Sequence, residues 1–382
     1  MKVLQVIPFF TPSMGGSVTI PYHLSHWLAK EGHEVTVITT DYKYDPDYAQ
    51  SLKNVEVTPF RHFARLGLFL YSPEMKRWLR SNISKYDVVH LHNFRSYQNN
   101  IVSKYAKEFN VPYIVQPHGS LPRIVEKEGL KQLYDAVWGN GILEHASKIV
   151  AVSGNEVKQF RRAGIPAEKI TVVPNGVNYI PPASLPPAGQ FREQCRIREK
   201  HIILYAGRLH KRKGIDFLIR AFNSFIQTWP GNDVALVIVG PDDSYQSVLA
   251  DLVGQLGLTN KVRFVGFVPS LVAAYRDADV LVYPATYEIF GLVPFEALLC
   301  GTPVIVTNDC GCGEIVEEAK CGYLVHYGDV AGLSKALKMA LDQPDVNKRM
   351  VGQGQRYIEQ HLMWESIVKQ MEGMYRSCIR HI

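Results

Sequence analysis

The sequence predicts an α/β protein built from two doubly wound parallel-sheet domains, and three observations carry that reading. Short apolar runs alternate with amphipathic stretches of helical period along the whole chain, the rhythm of strand–helix–strand units in parallel sheets. The rhythm occurs twice, separated by a stretch containing Pro181, Pro182, Pro186 and Pro187 that reads as a linker. The length of 382 residues suffices for two ordinary domains, and 46% hydrophobic against 20% charged residues makes the chain globular rather than disordered. The expected boundaries are a first domain at 1–175, a linker at 176–190, a second domain at 191–362 and a terminal helix from 363.

In the first half, Lys2–Ile7 (KVLQVI) is the opening strand, followed by a Pro/Ser/Gly loop containing Gly15 and Gly16 and an amphipathic helix to about Lys30. Further strands are expected at Glu34–Thr39, Val55–Pro59, Asp87–His92, Pro112–Gln116, Lys148–Val152 and Ile170–Val173. The second half repeats the pattern at His201–Ala206, Val234–Gly240, Val262–Val265, Asp279–Pro284, Thr302–Val306 and Tyr323–Val325. The tail, Met363–Ile379, has the period of one more amphipathic helix. In such sheets ligands bind at the C-terminal ends of strands, so residues just after each apolar run are the candidates for chemistry.

The most informative stretch is Glu288–Glu296, EIFGLVPFE, between the strand Asp279–Pro284 and a helical run. Glu288 falls in the loop, Gly291 where loop meets helix, and Glu296 in the first helical turns. Unpaired N–H groups and the dipole at a helix start favour an anion. Two carboxylates that can bind hydroxyls around such a site suit a nucleotide-sugar. Arg208 and Lys213, in Gly207–Gly214 (GRLHKRKG), follow another strand and can bind a diphosphate. Gly15-Gly16 would let a backbone approach a phosphate or a sugar. No G-x-G-x-x-G follows the first strand, which disfavours a nicotinamide dehydrogenase. His118 follows the strand PYIVQ and can bond a sugar hydroxyl or share a proton; a structural turn is the alternative. His90 and His92 lie on a strand, where one of them would point into the core. Asp45-Pro46-Asp47 and Asp277-Ala278-Asp279 resemble metal-holding acidic pairs; the first sits in a Tyr/Pro loop near a strand end, the second at the wrong end of its strand for the cleft, and metal ligation is expected at neither.

Charge is uneven. Residues 1–175 hold 21 Lys+Arg and 15 Asp+Glu, and the remainder 21 of each, so the first half carries the whole surplus of +6. This favours an anionic partner there. Arg61, Arg65, Lys76, Arg77 and Arg80 interleave with Phe60, Phe63, Leu66, Leu68, Phe69, Leu70, Trp78 and Leu79. That segment either lies on an anionic membrane surface or packs as a helix with its cations in water. No recognised nucleic-acid module accompanies the charge. No apolar run reaches the ~20 residues of a membrane span, and MKVLQVIPFF reads as a strand rather than a signal peptide. The six cysteines form no zinc pattern, and a reducing cytoplasm is expected.

Taken together, these residues resemble the retaining glycosyltransferases of family 4, which adopt the GT-B fold of two Rossmann-like domains facing a cleft. EIFGLVPFE resembles the family's E-x7-E signature and GRLHKRKGID its G-R-L-x-x-x-K-G segment. GGSVTIPYHLSHWLAKEGHEVTVIT is similar to its first loop and helix, VPNGV to its inter-lobe entry, and CGCGEIV (310–316) to its Gly-Gly-x-x-Glu-Ile-Val segment. The resemblance implies a diphosphate-binding role for Arg208 and Lys213, a donor-sugar role for Glu288 and a ribose role for Glu296. It implies backbone contacts to sugar and phosphate from Phe290, Gly291 and Leu292, and from Gly16 to the donor phosphates. His118 would sit near the transferred sugar, Glu314 at a structural or donor-side position, and Phe267 and Val268 near the base. It further implies that the terminal helix, 363–382, packs back on the first domain. Two departures stand out: Cys310-Gly311 where the family has Gly-Gly, and Asn178 where an acidic residue often follows P-N-G-V.

The expected function is therefore transfer of a hexose from a UDP- or GDP-sugar to a hydroxyl of a glycan or lipid-linked acceptor, with retention and without metal or other cofactor. Same-face attack is implied, with a leaving phosphate oxygen taking the acceptor's proton. The setting would be polysaccharide or glycolipid synthesis, in the cytoplasm or peripheral on the cytoplasmic face of the membrane. Alternatives are a nucleotide-sugar epimerase or phosphorylase of the same fold and a non-catalytic sugar-nucleotide-binding subunit.

Overall fold

The structure is a computed structural model that describes residues 1–66, 69–121, 128–231 and 233–379. Leu68 of the basic–aromatic segment and residues 380–382 of the terminal helix lie outside the described residues. Two compact units are present: Met1–Gly176 together with Trp364–Ile382, and Val177–Met363. Residues 177–190, expected as a linker, cluster with the second unit.

The first unit contains strands β1 (Lys2–Val6), β2 (Glu34–Thr40), β3 (Val55–Phe60), β4 (Ala64–Leu66), β5 (Phe69–Tyr71), β6 (Val88–His92), β7 (Tyr113–Gln116), β8 (Lys148–Ala151) and β9 (Ile170–Val172). Seven of them form a sheet ordered β3-β2-β1-β6-β7-β8-β9, and each neighbouring pair is parallel. The order reverses at β1, which lies between β2 and β6. Every residue of β6 is buried, as covering both faces of a parallel sheet requires. The core joins Leu4, Val6, Val89, Leu91, Val115 and Ile149 from the strands to Leu79, Val102 and Phe160 from helices.

The terminal helix, Trp364–Ile379, belongs to this unit. Its buried residues Trp364, Ile367, Val368, Met371, Met374, Tyr375 and Cys378 recur at three- and four-residue spacing, one stripe of an amphipathic helix. The stripe packs against the helix Gly16–Lys30 and β6.

The basic–aromatic segment divides into two structures. Ala64–Leu66 and Phe69–Tyr71 pair antiparallel, which a reading of 60–80 as one helix does not anticipate. The helix Pro73–Asn82 follows, with Met75 and Leu79 buried and Lys76, Arg77 and Arg80 exposed. Ser72 caps it by accepting the Met75 N–H, and Pro73 occupies its first position, so the helix starts where the sequence chemistry permits.

The second unit contains β10 (His201–Ala206), β11 (Val234–Val239), β12 (Val262–Gly266), β13 (Val280–Tyr283), β14 (Val304–Thr307) and β15 (Tyr323–Val325). They form a parallel sheet ordered β12-β11-β10-β13-β14-β15, reversing at β10. Ile203, Tyr205, Leu236, Ile238, Val280 and Val282 pack with Phe217, Phe222 and Phe225 of the helix Ile215–Thr228.

Two acidic pairs are committed to local structure. Asp45 caps the helix Pro46–Gln50 by accepting the Tyr48 N–H at 3.1 Å. Asp277 accepts the backbone N–H groups of Gly189 (2.7 Å), Phe191 (2.8 Å) and Arg192 (3.1 Å). Asp279 bonds the Ile202 N–H at 2.7 Å and lies near Arg192 and His201. Three amides converging on buried Asp277 make it the tie between residues 189–192 and the second sheet. Asp277→Ala is expected to lower the unfolding free energy by about 2–3 kcal/mol, since it strands these donors. Urea unfolding checks this; a loss within ~0.5 kcal/mol, ordinary for a surface position, would contradict it.

Candidate active site

The donor-side residues converge where the second sheet reverses. The loop after β10 carries Arg208 and Lys213, and the loop after β13 carries Glu288. Thr286 N–H donates to the Arg212 carbonyl at 3.1 Å and joins the loops. Gly214 makes their approach possible: its φ is +65°, and a Cβ there would sit 2.1 Å from the Pro284 carbonyl oxygen. The Lys213 ammonium forms an ion pair with Glu288 Oε2. Tyr283 donates its hydroxyl to the same oxygen at 2.9 Å and lies 3.3 Å from Lys213 Nζ. Burial alone would raise the Glu288 carboxyl. The Lys213 charge, hydrogen bonds from Lys213 and Tyr283, and the Arg208 charge outweigh burial and hold it below the usual range.

Glu296 has the opposite environment. It lies in the first turn of the helix Val293–Leu299 and accepts the Tyr275 hydroxyl at 2.9 Å. Burial pushes its carboxyl up, only partly opposed by that bond. The helix is seven residues long, so the positive end of its dipole is that of a short helix. Arg208 is exposed and pairs with Asp243 at 3.2 Å; it does not touch Glu288 directly.

Phe290 is buried. Gly291 has a φ of +83° and packs against Tyr283 and Cys312, and Leu292 is half-buried. At the Cys310-Gly311 departure, Gly311 packs closely on the loop that carries Glu288. Its N–H donates to the Glu288 carbonyl at 2.9 Å, and a Cβ there would sit 2.0 Å from the Ile289 oxygen. Phe267 is exposed, and Val268 lines a pocket of about 520 Å³ with Phe191 and Cys195.

In the first unit, Gly15 and Gly16 are exposed at the start of the helix Gly16–Lys30, and Gly15 has a φ of +69°. His118 follows β7 in a left-handed conformation, φ +50°, which costs an L-residue roughly 1–2 kcal/mol and requires support. His92 Nδ1 lies 3.0 Å from its Nε2. Glu156 accepts the Gly119 N–H at 3.1 Å and the Val152 N–H at 2.8 Å. Arg95, ion-paired with Asp135 at 2.7 Å, donates to the Ser120 and Leu121 carbonyls. His90 and His92 are both fully buried, rather than one of them alone. Among the described residues no group of three or more His, Cys, Asp or Glu is arranged to hold a metal, and no helix is long and apolar enough to cross a membrane.

Sequence reasoning passed over Tyr283, Tyr275, Asp243, Glu156 and the Arg95–Asp135 pair. The two tyrosines carried a signal: each lies among apolar residues, where a buried hydroxyl needs a partner. Glu156 carried none, because its partners are backbone amides, one of them, Gly119, distant in sequence.

Parallel sheets that reverse at β1 and β10, with a Lys–Glu–Tyr cluster at the second reversal, define a protein that handles ligands at strand ends. The comparisons make the class specific. Residues 189–357 match the family of glycosyl transferases group 1, and residues 14–179 match glycosyltransferase family 4. The chain belongs to this glycosyltransferase family and has the GT-B fold. It is 28% identical over 395 residues to the uncharacterized glycosyltransferase MJ1607 of Methanocaldococcus jannaschii, covering 98% of each chain. It is 27% identical over 412 residues to a glycogen synthase of Mycobacterium tuberculosis, covering 100% of this chain and 95% of that one. In structure it resembles Anabaena Alr3699/HepE in complex with UDP, at a TM-score of 0.81 and 22% identity over 99% of this chain and 100% of that one. HepE is also known in complex with UDP-glucose.

Burial raises the Glu156 carboxyl to about 7, against the two backbone hydrogen bonds that lower it. The native state therefore holds this proton more tightly than the unfolded chain. The contribution is full below the ordinary carboxylate value of 4.5 and is lost as pH rises toward about 7. Relative to Glu156→Gln, the wild type is expected to lose stability with rising pH across this window, by at most about 1.4 kcal/mol per pH unit. Urea unfolding of both proteins between about pH 5 and pH 7 measures it; a pH-independent difference would contradict the assignment.

Proposed function

We propose that this glycosyltransferase moves a hexose from a nucleoside diphosphate sugar to an acceptor hydroxyl with retention of configuration. The observation that carries the reading is the Lys213–Glu288–Tyr283 cluster: a cation and a carboxylate held side by side in the unit whose residues match the group 1 family. In this reading Lys213 and Arg208 bind the diphosphate and take up charge as it leaves, without metal. Donor binding would release Lys213 from Glu288 toward phosphate and leave Glu288, steadied by Tyr283, for the sugar hydroxyls. Glu296 bonds the ribose, with the Tyr275 bond fixing its orientation. Phe290, Gly291 and Leu292 present backbone groups to the sugar and phosphate, Gly15 and Gly16 approach the donor phosphates, and Phe267 and Val268 border the base. His118 bonds a hydroxyl of the transferred sugar. A departing phosphate oxygen takes the acceptor proton.

A UDP-hexose is the favoured donor, with HepE's UDP-glucose complex in support; a GDP-hexose is the alternative. Such a donor is expected to raise the melting temperature by mass action. Lys213→Ala should lower kcat roughly 10²–10³-fold, or about 3–4 kcal/mol, while retaining the wild-type circular dichroism spectrum. A near-wild-type rate would remove Lys213 from the chemistry. Absence of both donor hydrolysis and transfer by the wild type would favour a sugar-nucleotide-binding subunit, and conversion of donor without acceptor to another sugar would favour an epimerase.

The acceptor proposed is a glycan or an anionic lipid-linked saccharide, reached at the cytoplasmic face of a membrane during polysaccharide or glycolipid synthesis. The basic first half supports this, as do Phe63 and Leu66, 78% and 83% exposed beside Arg65. Binding to vesicles containing phosphatidylserine should weaken with salt and with Arg77→Glu/Arg80→Glu. Insensitivity to both would point to a soluble acceptor.

A further inference from the structure

The buried histidines of β6 have no part in the chemistry above, yet they lead directly to His118. His90 and His92 alternate with Leu91 and so share a face of the strand, their rings 4.1 Å apart. Behind them stand Gln5 of β1 and Tyr375 of the terminal helix. Four contacts form one chain: His90 Nδ1 to the Tyr375 hydroxyl at 2.7 Å, Tyr375 to Gln5 Nε2 at 3.4 Å, Gln5 Oε1 to His92 Nε2 at 2.5 Å, and His92 Nδ1 to His118 Nε2 at 3.0 Å.

A neutral imidazole has one N–H, so each ring in such a chain is a donor on one nitrogen and an acceptor on the other. The direction of every bond is then set as a unit. Burial holds all three histidines far below their ordinary range, His90 and His118 at about 3, and each is neutral near pH 7. Two polarities close the chain, and the orientation of the Gln5 amide selects between them. The short contact suits the amide oxygen accepting from His92, and the long one the amide nitrogen donating to Tyr375. His92 is then protonated on Nε2, its Nδ1 accepts, and His118 Nε2–H donates to it. Tyr375 in turn donates to His90 Nδ1. With the amide reversed, every bond reverses and His118 carries its proton on Nδ1.

We propose that Gln5 and His92 are positioning residues that hold His118 as its Nε2–H tautomer, so that His118 Nδ1 presents a lone pair to a substrate hydroxyl. The inference rests on the assignment of His118 to sugar transfer. Among the described residues no partner bonds Nδ1, whereas Nε2 is committed to His92, so Nδ1 is the nitrogen a ligand can reach. The rings of His92 and His118 lie nearly parallel, 5.3 Å apart at 20°, which fixes the imidazole's plane as well as its proton. Neutral and held in one tautomer, His118 accepts a hydrogen bond; in the other it would donate one and repel the hydroxyl's proton. Tyr375 extends the control to the terminal helix, because its hydroxyl accepts from the Gln5 amide only in the observed orientation.

The test is ¹⁵N NMR of the full-length protein labelled at histidine, with the His118 signals identified by their loss in His118→Gln. Pyridine-type and pyrrole-type ring nitrogens resonate in separate ranges and report the tautomer without reference to activity. The wild type is expected to show a pyridine-type Nδ1. Gln5→Met, close in size but without the amide, should produce a mixture of tautomers and lower kcat about tenfold, with little change in donor KM. Tyr375→Phe preserves the ring's volume and should raise the Nδ1–H fraction in the same direction, which keeps the test available if Gln5→Met folds poorly. A pyrrole-type Nδ1 in the wild type, or an unchanged tautomer in the folded variants, would overturn the proposal. So would a shifted tautomer with unaltered kcat. A wild-type kcat in His118→Ala, with the tautomer responding as expected, overturns the premise instead and is distinguishable from these outcomes.

Discussion

The ion pair between Lys213 and Glu288 is the interaction around which the second unit's site is arranged, and it depends on a backbone contact. Lys213 precedes Gly214, whose positive φ and missing side chain let the chain touch the Pro284 carbonyl. That contact brings the ends of β10 and β13 together at the point where strand order reverses. A cation and a carboxylate in contact attract each other more strongly where water is restricted, and Tyr283 adds a hydrogen bond to the same carboxylate oxygen and a contact with the lysine. In the proposed reaction an arriving phosphate would compete for the lysine, while the carboxylate would stay oriented by the tyrosine.

The two glutamates of the signature have diverged because their neighbours differ. Glu288 faces a lysine charge and is held ionised, whereas Glu296 meets only a tyrosine hydroxyl and is raised by burial. Their separation in chemistry follows from side chains contributed by other elements, not from their spacing. It fits two carboxylates that bind hydroxyls of distinct groups better than a general acid and base working on one bond.

Support for His118 follows a different logic. Its loop is held by neutral and backbone-directed bonds: Glu156 on the Gly119 amide, Arg95 on the next two carbonyls and His92 on the ring. These partners offset the cost of a left-handed backbone at a β-carbon-bearing residue. The terminal helix contributes to the same polar layer through Tyr375, so a segment at the far end of the chain is part of the setting of a residue after β7.

Much of this was legible in the sequence. The apolar runs fixed the parallel strands to within a residue or two, because strands buried on both faces leave few polar positions. Glu288, Gly291, Lys213 and His118 were marked by position, since residues following a strand in such sheets stand at its ligand-binding end. The antiparallel pair at Ala64–Tyr71 was not legible, because its aromatic and basic residues fit a helix or a surface equally well. Nor were Tyr283's bond to Glu288, Asp277's hold on residues 189–192, or the chain from Tyr375 to His118. The last two join residues far apart in sequence, Tyr283 stands five residues before Glu288, and in no case does the type of residue alone show which partner it meets. Glu288–Glu296 itself shows the division: local spacing placed two carboxylates at a loop and a helix start, but the lysine that holds Glu288 low and the burial that pushes Glu296 up arrive only when the strands are brought side by side.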